Sequence, residues 1–173
     1  MDELSAKRLA TVLFESVEAS GGSGFPHISG YYIHRLIGSG GGGDVYEGAV
    51  VSTARPVAIK LLRPQYATNA KNALRELDRL TSVRSNVVPH VLDYGWYQDR
   101  IYIVTEFIDG VNPREYCHTR NLKETVRVLI RIADAVSVLH SRGILHRDIK
   151  PSNIIMTADG EPVLLDLGIA SFL

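Results

Sequence analysis

The sequence predicts an α+β fold, and three observations carry the prediction. Residues 31–37, 45–51, 56–62, 88–96 and 101–107 read as strands, rich in β-branched and aromatic side chains and separated by glycine-rich or polar turns. Residues 69–83 and 122–142 instead carry apolar side chains at three- and four-residue steps, the helical period. Two short apolar strands, 154–156 and 163–165, follow around the turn Asp159-Gly160.

At 173 residues the chain has the size of one domain, or one domain and a tail. A composition 45% hydrophobic and 22% charged is that of an ordinary soluble globular protein. Basic and acidic residues balance at 19 each, which argues against nucleic acid or an anionic membrane as the main partner. No apolar run reaches the roughly 18 residues that cross a bilayer, and Met1-Asp2-Glu3 is not the basic start of a secretory signal. The expectation is a cytoplasmic chain with no membrane segment. The single cysteine, Cys117, has no neighbouring motif to activate it and reads as a packing residue.

In chain order, residues 2–19 form a short helical candidate, and Ser20-Gly21-Gly22-Ser23-Gly24 breaks it with linker composition. A surface helix without a special role competes there with a docking extension. The first strand then leads into Gly38-Ser39-Gly40-Gly41-Gly42-Gly43-Asp44-Val45, in which Gly38, Gly40, Gly43 and Val45 fit G-x-G-x-x-G-x-V. Glycines let a backbone fold over phosphates without a clashing Cβ, and exposed amides can face the anion. The same spacing occurs in dinucleotide-binding folds, but those place a helix directly after the glycines. Here Val45-Tyr46-Glu47-Gly48-Ala49-Val50-Val51 reads as a second strand, so the glycines turn a hairpin.

Lys60 interrupts the apolar strand Pro56–Leu62 in the run Val57-Ala58-Ile59-Lys60. A buried ammonium without a partner is costly, so Lys60 either snorkels to water or faces an anion. In the helix at 69–83, Leu74, Leu77 and Leu80 share a face and Glu76 sits beside them; a plain surface glutamate is the alternative. The fifth strand runs into Thr105-Glu106-Phe107-Ile108-Asp109-Gly110. The helix at 122–142 carries the stripe Val126, Leu129-Ile130, Ala133, Val136 and Leu139-His140, expected to be core, and stops at Gly143.

That helix delivers the chain to His146-Arg147-Asp148-Ile149-Lys150-Pro151-Ser152-Asn153, followed by Asp166-Leu167-Gly168. A carboxylate can take a proton from a hydroxyl, an ammonium can neutralise a moving phosphoryl group, and an amide oxygen suits a hard divalent metal. A capped turn is the bland reading of the same residues.

Taken in order, the glycine hairpin, Val-Ala-Ile-Lys, Glu76, His-Arg-Asp-x-Lys-Pro-x-Asn and Asp-Leu-Gly resemble the eukaryotic-type serine/threonine protein kinases, from about Tyr31 to Leu173. Lys150-Pro151 looks like the serine/threonine class, and the short loops look bacterial. The resemblance implies a five-stranded antiparallel N-lobe sheet with the family's helix C, followed by the first part of a helical C-lobe. The divisions expected are 1–24 for the helix and linker, 25–108 for the N-lobe and hinge, and 109–173 for an incomplete C-lobe.

The resemblance also implies ATP and Mg²⁺ as cofactors and a protein Ser/Thr hydroxyl as acceptor. Asp148 is the implied base and Lys150 the implied charge stabiliser, with Lys60 on the α- and β-phosphates, held by Glu76. Asn153 and Asp166 are the implied metal ligands. Nucleotide contacts fall on Gly38, Ser39, Gly40, Gly41, Gly42, Gly43, Val45, Ala58, Thr105 as gatekeeper, the Glu106 carbonyl, the Ile108 amide and Ile155. His146 is expected to be structural, and Arg147 to pair with an activation-loop phosphate. Leu167 replaces the family's usual phenylalanine, and the chain stops five residues after Gly168, so a truncated kinase is the expectation. An ATP-binding fragment acting by docking is the rival reading, and a small-molecule phosphotransferase the third.

Overall fold

The computed structural model describes residues 24–69 and 85–166. The expected helices at 2–19 and 69–83 fall in whole or nearly so outside those residues; so do Glu76 and the Leu167-Gly168 pair. The described residues form two compact units: residues up to Ala67 together with Asp93–Thr105, and Thr68–Leu92 together with the chain from Glu106 onward.

The first unit holds nearly all of a five-stranded sheet in the order β1-β2-β3-β5-β4: β1 (Tyr31–Gly40), β2 (Gly43–Val50), β3 (Pro56–Leu62), β4 (Val91–Tyr97) and β5 (Arg100–Glu106). β1 pairs antiparallel with β2, and β2 with β3. Period-two alternation explains β3: Val57, Ile59 and Leu61 point into the core with Ile28, Ile33, Tyr46 and Val104. Ala58 and Lys60 fall on the opposite, half-buried face. Arg35 and Glu47 face each other across β1 and β2 and form an ion pair at 2.5 Å.

β1 runs three residues further than its apolar pattern suggests, through Gly38-Ser39-Gly40, and Gly41-Gly42 make the turn. β4 begins at Val91 rather than 88. Pro89 has no N–H for a ladder, the Val87 carbonyl accepts from Leu164, and the His90 amide donates to the Glu106 carboxylate. Those backbone groups are therefore committed elsewhere.

The second unit contains α1 (Pro113–Cys117), α2 (Leu122–Ser141) and the hairpin of β6 (Ile154–Met156) with β7 (Pro162–Leu164). Asn121 and Glu124 close a reciprocal capping box on α2, with both hydrogen bonds at 3.0 Å. At its other end Ile144 N–H donates to the Leu139 carbonyl and Gly143 N–H to that of His140, a Schellman motif that needs the positive φ of 72° at Gly143.

The expected stripe on α2 requires correction. Val128, Ala135 and Leu139 are buried against Val88, Ile154, Met156 and Leu164, and Ile132 and Val136 pack partly against them. Val126, Leu129, Ile130 and Ala133 are exposed, Leu129 by 59%. The helix carries two apolar stripes, and the β6–β7 hairpin takes the one through Val128, Ile132, Ala135 and Leu139, which the expected set did not include apart from Leu139. Only Val136 and Leu139 of the expected set face the core.

α1 was not foreseen. Five residues are too few to show a period, but Asn112 caps it by accepting from the Glu115 amide, and Pro113 takes the first turn. Cys117 is half-buried against the core of this unit, the packing role expected of it.

Candidate active site

The β1–β2 hairpin sorts its glycines by function. Gly43 is structural: its φ is 146°, and a Cβ there would lie 2.3 Å from the Leu61 carbonyl oxygen. Gly43→Ala is expected to lower the melting temperature by several degrees, because either β3 moves or the turn breaks; thermal denaturation checks this. Gly40 and Gly41 differ, since a Cβ on either would meet nothing within 4 Å among the described residues. Packing among the described residues does not explain why they lack side chains. A Cβ on Gly42 would lie 3.5 Å from Lys60 Nζ, so the ammonium lies beside the glycine turn. Val45 is the cross-strand partner of Lys60, and Gly38 carries no Cβ above it.

In the second unit, residues 146–153 form a tight polar knot. Lys150 Nζ donates to Asp148 Oδ2 at 2.7 Å. Asn153 Nδ2 donates to the same carboxylate oxygen at 2.8 Å and to the Asp148 carbonyl at 3.0 Å. Asn153 is buried while the Asp148 and Lys150 side chains stay half exposed, so a fixed amide positions a solvent-facing carboxylate. The hydrogen bond from Lys150, aided by Asn153, holds the Asp148 carboxyl below the usual carboxylate range.

His146, 2% exposed, supports the loop from beneath: its Nδ1 accepts from the Asp148 amide at 3.4 Å. Pro151–Asn153 make one 3-10 turn leading directly into β6. The Leu165 amide donates to the Asn153 carbonyl at 2.8 Å, which brings the next residue, Asp166, alongside the loop. Arg147 and Asp166 both adopt positive φ, 65° and 59°, which is uncommon for residues with side chains. Such backbone strain concentrates where a site demands it.

The segment after β5 is also fixed locally. The Glu106 amide donates to the His90 carbonyl, and the Glu106 carboxylate accepts from the His90 amide at 2.9 Å. Thr105, Glu106 and Ile108 are half-buried. Val111 bridges to Met156, and Ile155 stays half-buried between fully buried Ile154 and Met156. Among the described residues no group of three or more His, Cys, Asp or Glu side chains clusters as a metal site.

One cluster escaped the sequence reading. Asp44, read only as the variable position before Val45, accepts from Ser39, Arg63 and Arg100. The Ser39 hydroxyl and the two guanidiniums hold its carboxyl below the usual range.

The fold and the polar loop together define a protein-kinase-like domain. The family described as "Protein kinase domain" matches residues 31–173, and the chain belongs to it. The chain is 34% identical over 146 residues to serine/threonine-protein kinase PknD of Mycobacterium tuberculosis, spanning 81% of this chain and 22% of that protein. It is 35% identical over 153 residues to PrkC of Bacillus subtilis, covering 84% and 24%. It thus spans about a quarter of the length of these curated relatives. A crystal structure of the M. tuberculosis PknI kinase domain superposes with a TM-score of 0.67 at 26% identity, over 87% of this chain and 62% of that one. An apo form of PpkA gives 0.71 at 25%, over 86% and 62%. No helix among the described residues is long and apolar enough to cross a membrane.

Proposed function

We propose that this domain binds Mg·ATP and transfers its γ-phosphoryl group to a protein serine or threonine hydroxyl. The observation that carries the reading is the Asp148–Lys150–Asn153 knot, in which a buried amide aims an ionised, solvent-facing carboxylate. The residues present fit the implied groups. With its amide nitrogen donating to Asp148, the oxygen of Asn153 is left to act as a ligand, and Asp166 adds a carboxylate. Few protein ligands of hard oxygen type are what Mg²⁺ shared with phosphates calls for. The bound metal would neutralise phosphate charge.

In this reading Asp148 orients the acceptor hydroxyl and takes its proton, its low pKa keeping it ionised at neutral pH. Lys150, already beside that carboxylate, offsets charge developing on the transferred group. Lys60, beside the glycine turn, holds the α- and β-phosphates, with Glu76 as its partner in this reading. The turn from Gly38 through Gly43, with Ser39, offers backbone amides to the phosphates, and Val45 and Ala58 flank the base. The Glu106 carbonyl and Ile108 amide read the adenine edge, and Thr105 and Ile155 are further nucleotide contacts in this reading. The supply of ATP in the cytoplasm supports a cytoplasmic reaction in this reading. We retain 25–108 and 109–173 as the two functional divisions, with 1–24 preceding them.

Gly40→Ala separates this reading from a structural role for the turn. Its Cβ would meet nothing within 4 Å among the described residues, so the melting temperature should stay within about 1 °C, while Mg·ATP affinity falls about tenfold as the methyl crowds the phosphates. Calorimetric titration beside a thermal melt gives both numbers. Unchanged affinity would count against the phosphate assignment. Nucleotide binding without transfer, the rival reading, is separated by following γ-phosphate in the same samples.

A further inference from the structure

The glycine turn is held by a clamp that none of its own motif residues explains. Six residues, Gly38 to Gly43, include five glycines, and such a segment has high entropy to lose on meeting a ligand. Yet three side chains from outside it reach its carbonyls and its one hydroxyl. Arg63 Nε donates to the Gly40 carbonyl at 3.2 Å, and its guanidinium also donates to the Ser39 hydroxyl at 3.2 Å. The Tyr66 hydroxyl reaches the Gly41 carbonyl at 3.4 Å, and the Arg63 amide that of Gly42 at 3.4 Å. Asp44 joins the parts: Ser39 donates to it at 2.7 Å, and Arg63 and Arg100 both pair with it, at 3.1 and 3.0 Å. Arg100 in turn donates to the Leu61 and Leu62 carbonyls at 2.9 and 2.7 Å, anchoring the assembly to the end of β3.

We propose that Asp44, through Arg63 and Arg100, is a positioning residue that pre-orders the glycine turn and thereby raises affinity for the phosphates of the nucleotide. The inference rests on the nucleotide reading above. All its parts lie in the first unit, and its core is sheltered, since the Asp44 side chain is 13% exposed. Carbonyls tied back by Arg63 and Tyr66 cannot turn toward an incoming anion. The entropy of ordering is lost on folding, before the ligand arrives.

A purely electrostatic role for Asp44 would have the opposite effect on affinity. Asp44 is the one carboxylate in this cluster, so if it acted only through its field, Asp44→Asn would remove a repulsion and tighten Mg·ATP. The clamp predicts about tenfold weaker Mg·ATP, the size of one lost charge-assisted hydrogen bond, with adenosine affinity unchanged. Arg100→Lys keeps the charge but cannot fork between Asp44 and two carbonyls, and should shift the ratio of ATP to adenosine affinity the same way. Asp44→Glu should restore part of the loss. Thermal melts establish that each variant is folded, and hydrogen exchange of the Gly40–Gly43 amides without nucleotide should quicken at least tenfold in Asp44→Asn. Tighter ATP binding, equal losses for ATP and adenosine, or unchanged exchange in a folded variant overturns the inference. If the unaltered chain binds neither ligand, the nucleotide reading fails and the affinity claim with it, while exchange still decides the clamp.

Discussion

Asp148→Asn is expected to lower γ-phosphoryl transfer by a factor of about 10² to 10⁴, the usual contribution of a positioned general base, with Mg·ATP affinity within twofold of the unaltered protein. The amide replaces the carboxylate at equal size. It can still accept from Lys150 and Asn153, so the loop should keep its shape while losing the proton acceptor. Steady-state transfer measured beside calorimetric binding separates the two effects. The same residue predicts a pH profile. Its folded pKa is depressed by Lys150, so the carboxylate is ionised throughout the neutral range, and Asp148 imposes no fall in rate between about pH 8 and 6. Any stability from the pair is present above the ordinary carboxylate pKa of about 3.9 and is lost as pH falls through the lowered one. Both side chains are half exposed, so that contribution is small. A rate that halves near pH 6.5 in step with Asp148 protonation, seen by NMR, would contradict the assigned geometry.

Leu139→Ala is expected to have the largest effect on stability. Leu139 is 0% exposed and packs where α2 meets the β6–β7 hairpin, whose first strand begins one residue after Asn153. Truncating a leucine there removes apolar contacts and leaves a cavity, at a cost of about 2 to 5 kcal/mol. Urea or thermal unfolding should show the loss, and because the hairpin carries the loop, phosphate transfer should fall with it. Leu129→Ala on the exposed stripe should change stability by less than about 0.5 kcal/mol. Equal losses for the two variants would show the buried face of α2 to be misassigned.

What the sequence disclosed follows the range over which each signal acts. β3 was legible to the residue, because alternation within seven positions suffices to place Lys60 opposite Val57, Ile59 and Leu61. The Asp148–Asn153 knot was legible in kind, since its members lie five residues apart and one turn brings them together. The start of β4 was not, because the bonds that hold residues 87–90 go to Leu164 and the Glu106 side chain, far along the chain. The phase of α2 failed for a related reason. Two apolar stripes share one helix, and only the packing partner decides which is buried. Asp44, Arg63 and Arg100 are separated by 19 and 56 positions, and nothing local marks them as one cluster. The role assigned to Glu76 falls outside the described residues.

The most direct measurement follows labelled γ-phosphate from Mg·ATP into a serine- and threonine-containing peptide library, with binding recorded in the same preparation. Saturable Mg·ATP binding, label recovered on serine or threonine, and loss of label but not of binding in Asp148→Asn are the predicted results. A protein that binds Mg·ATP and labels no peptide, or one whose labelling survives Asp148→Asn, would contradict the account.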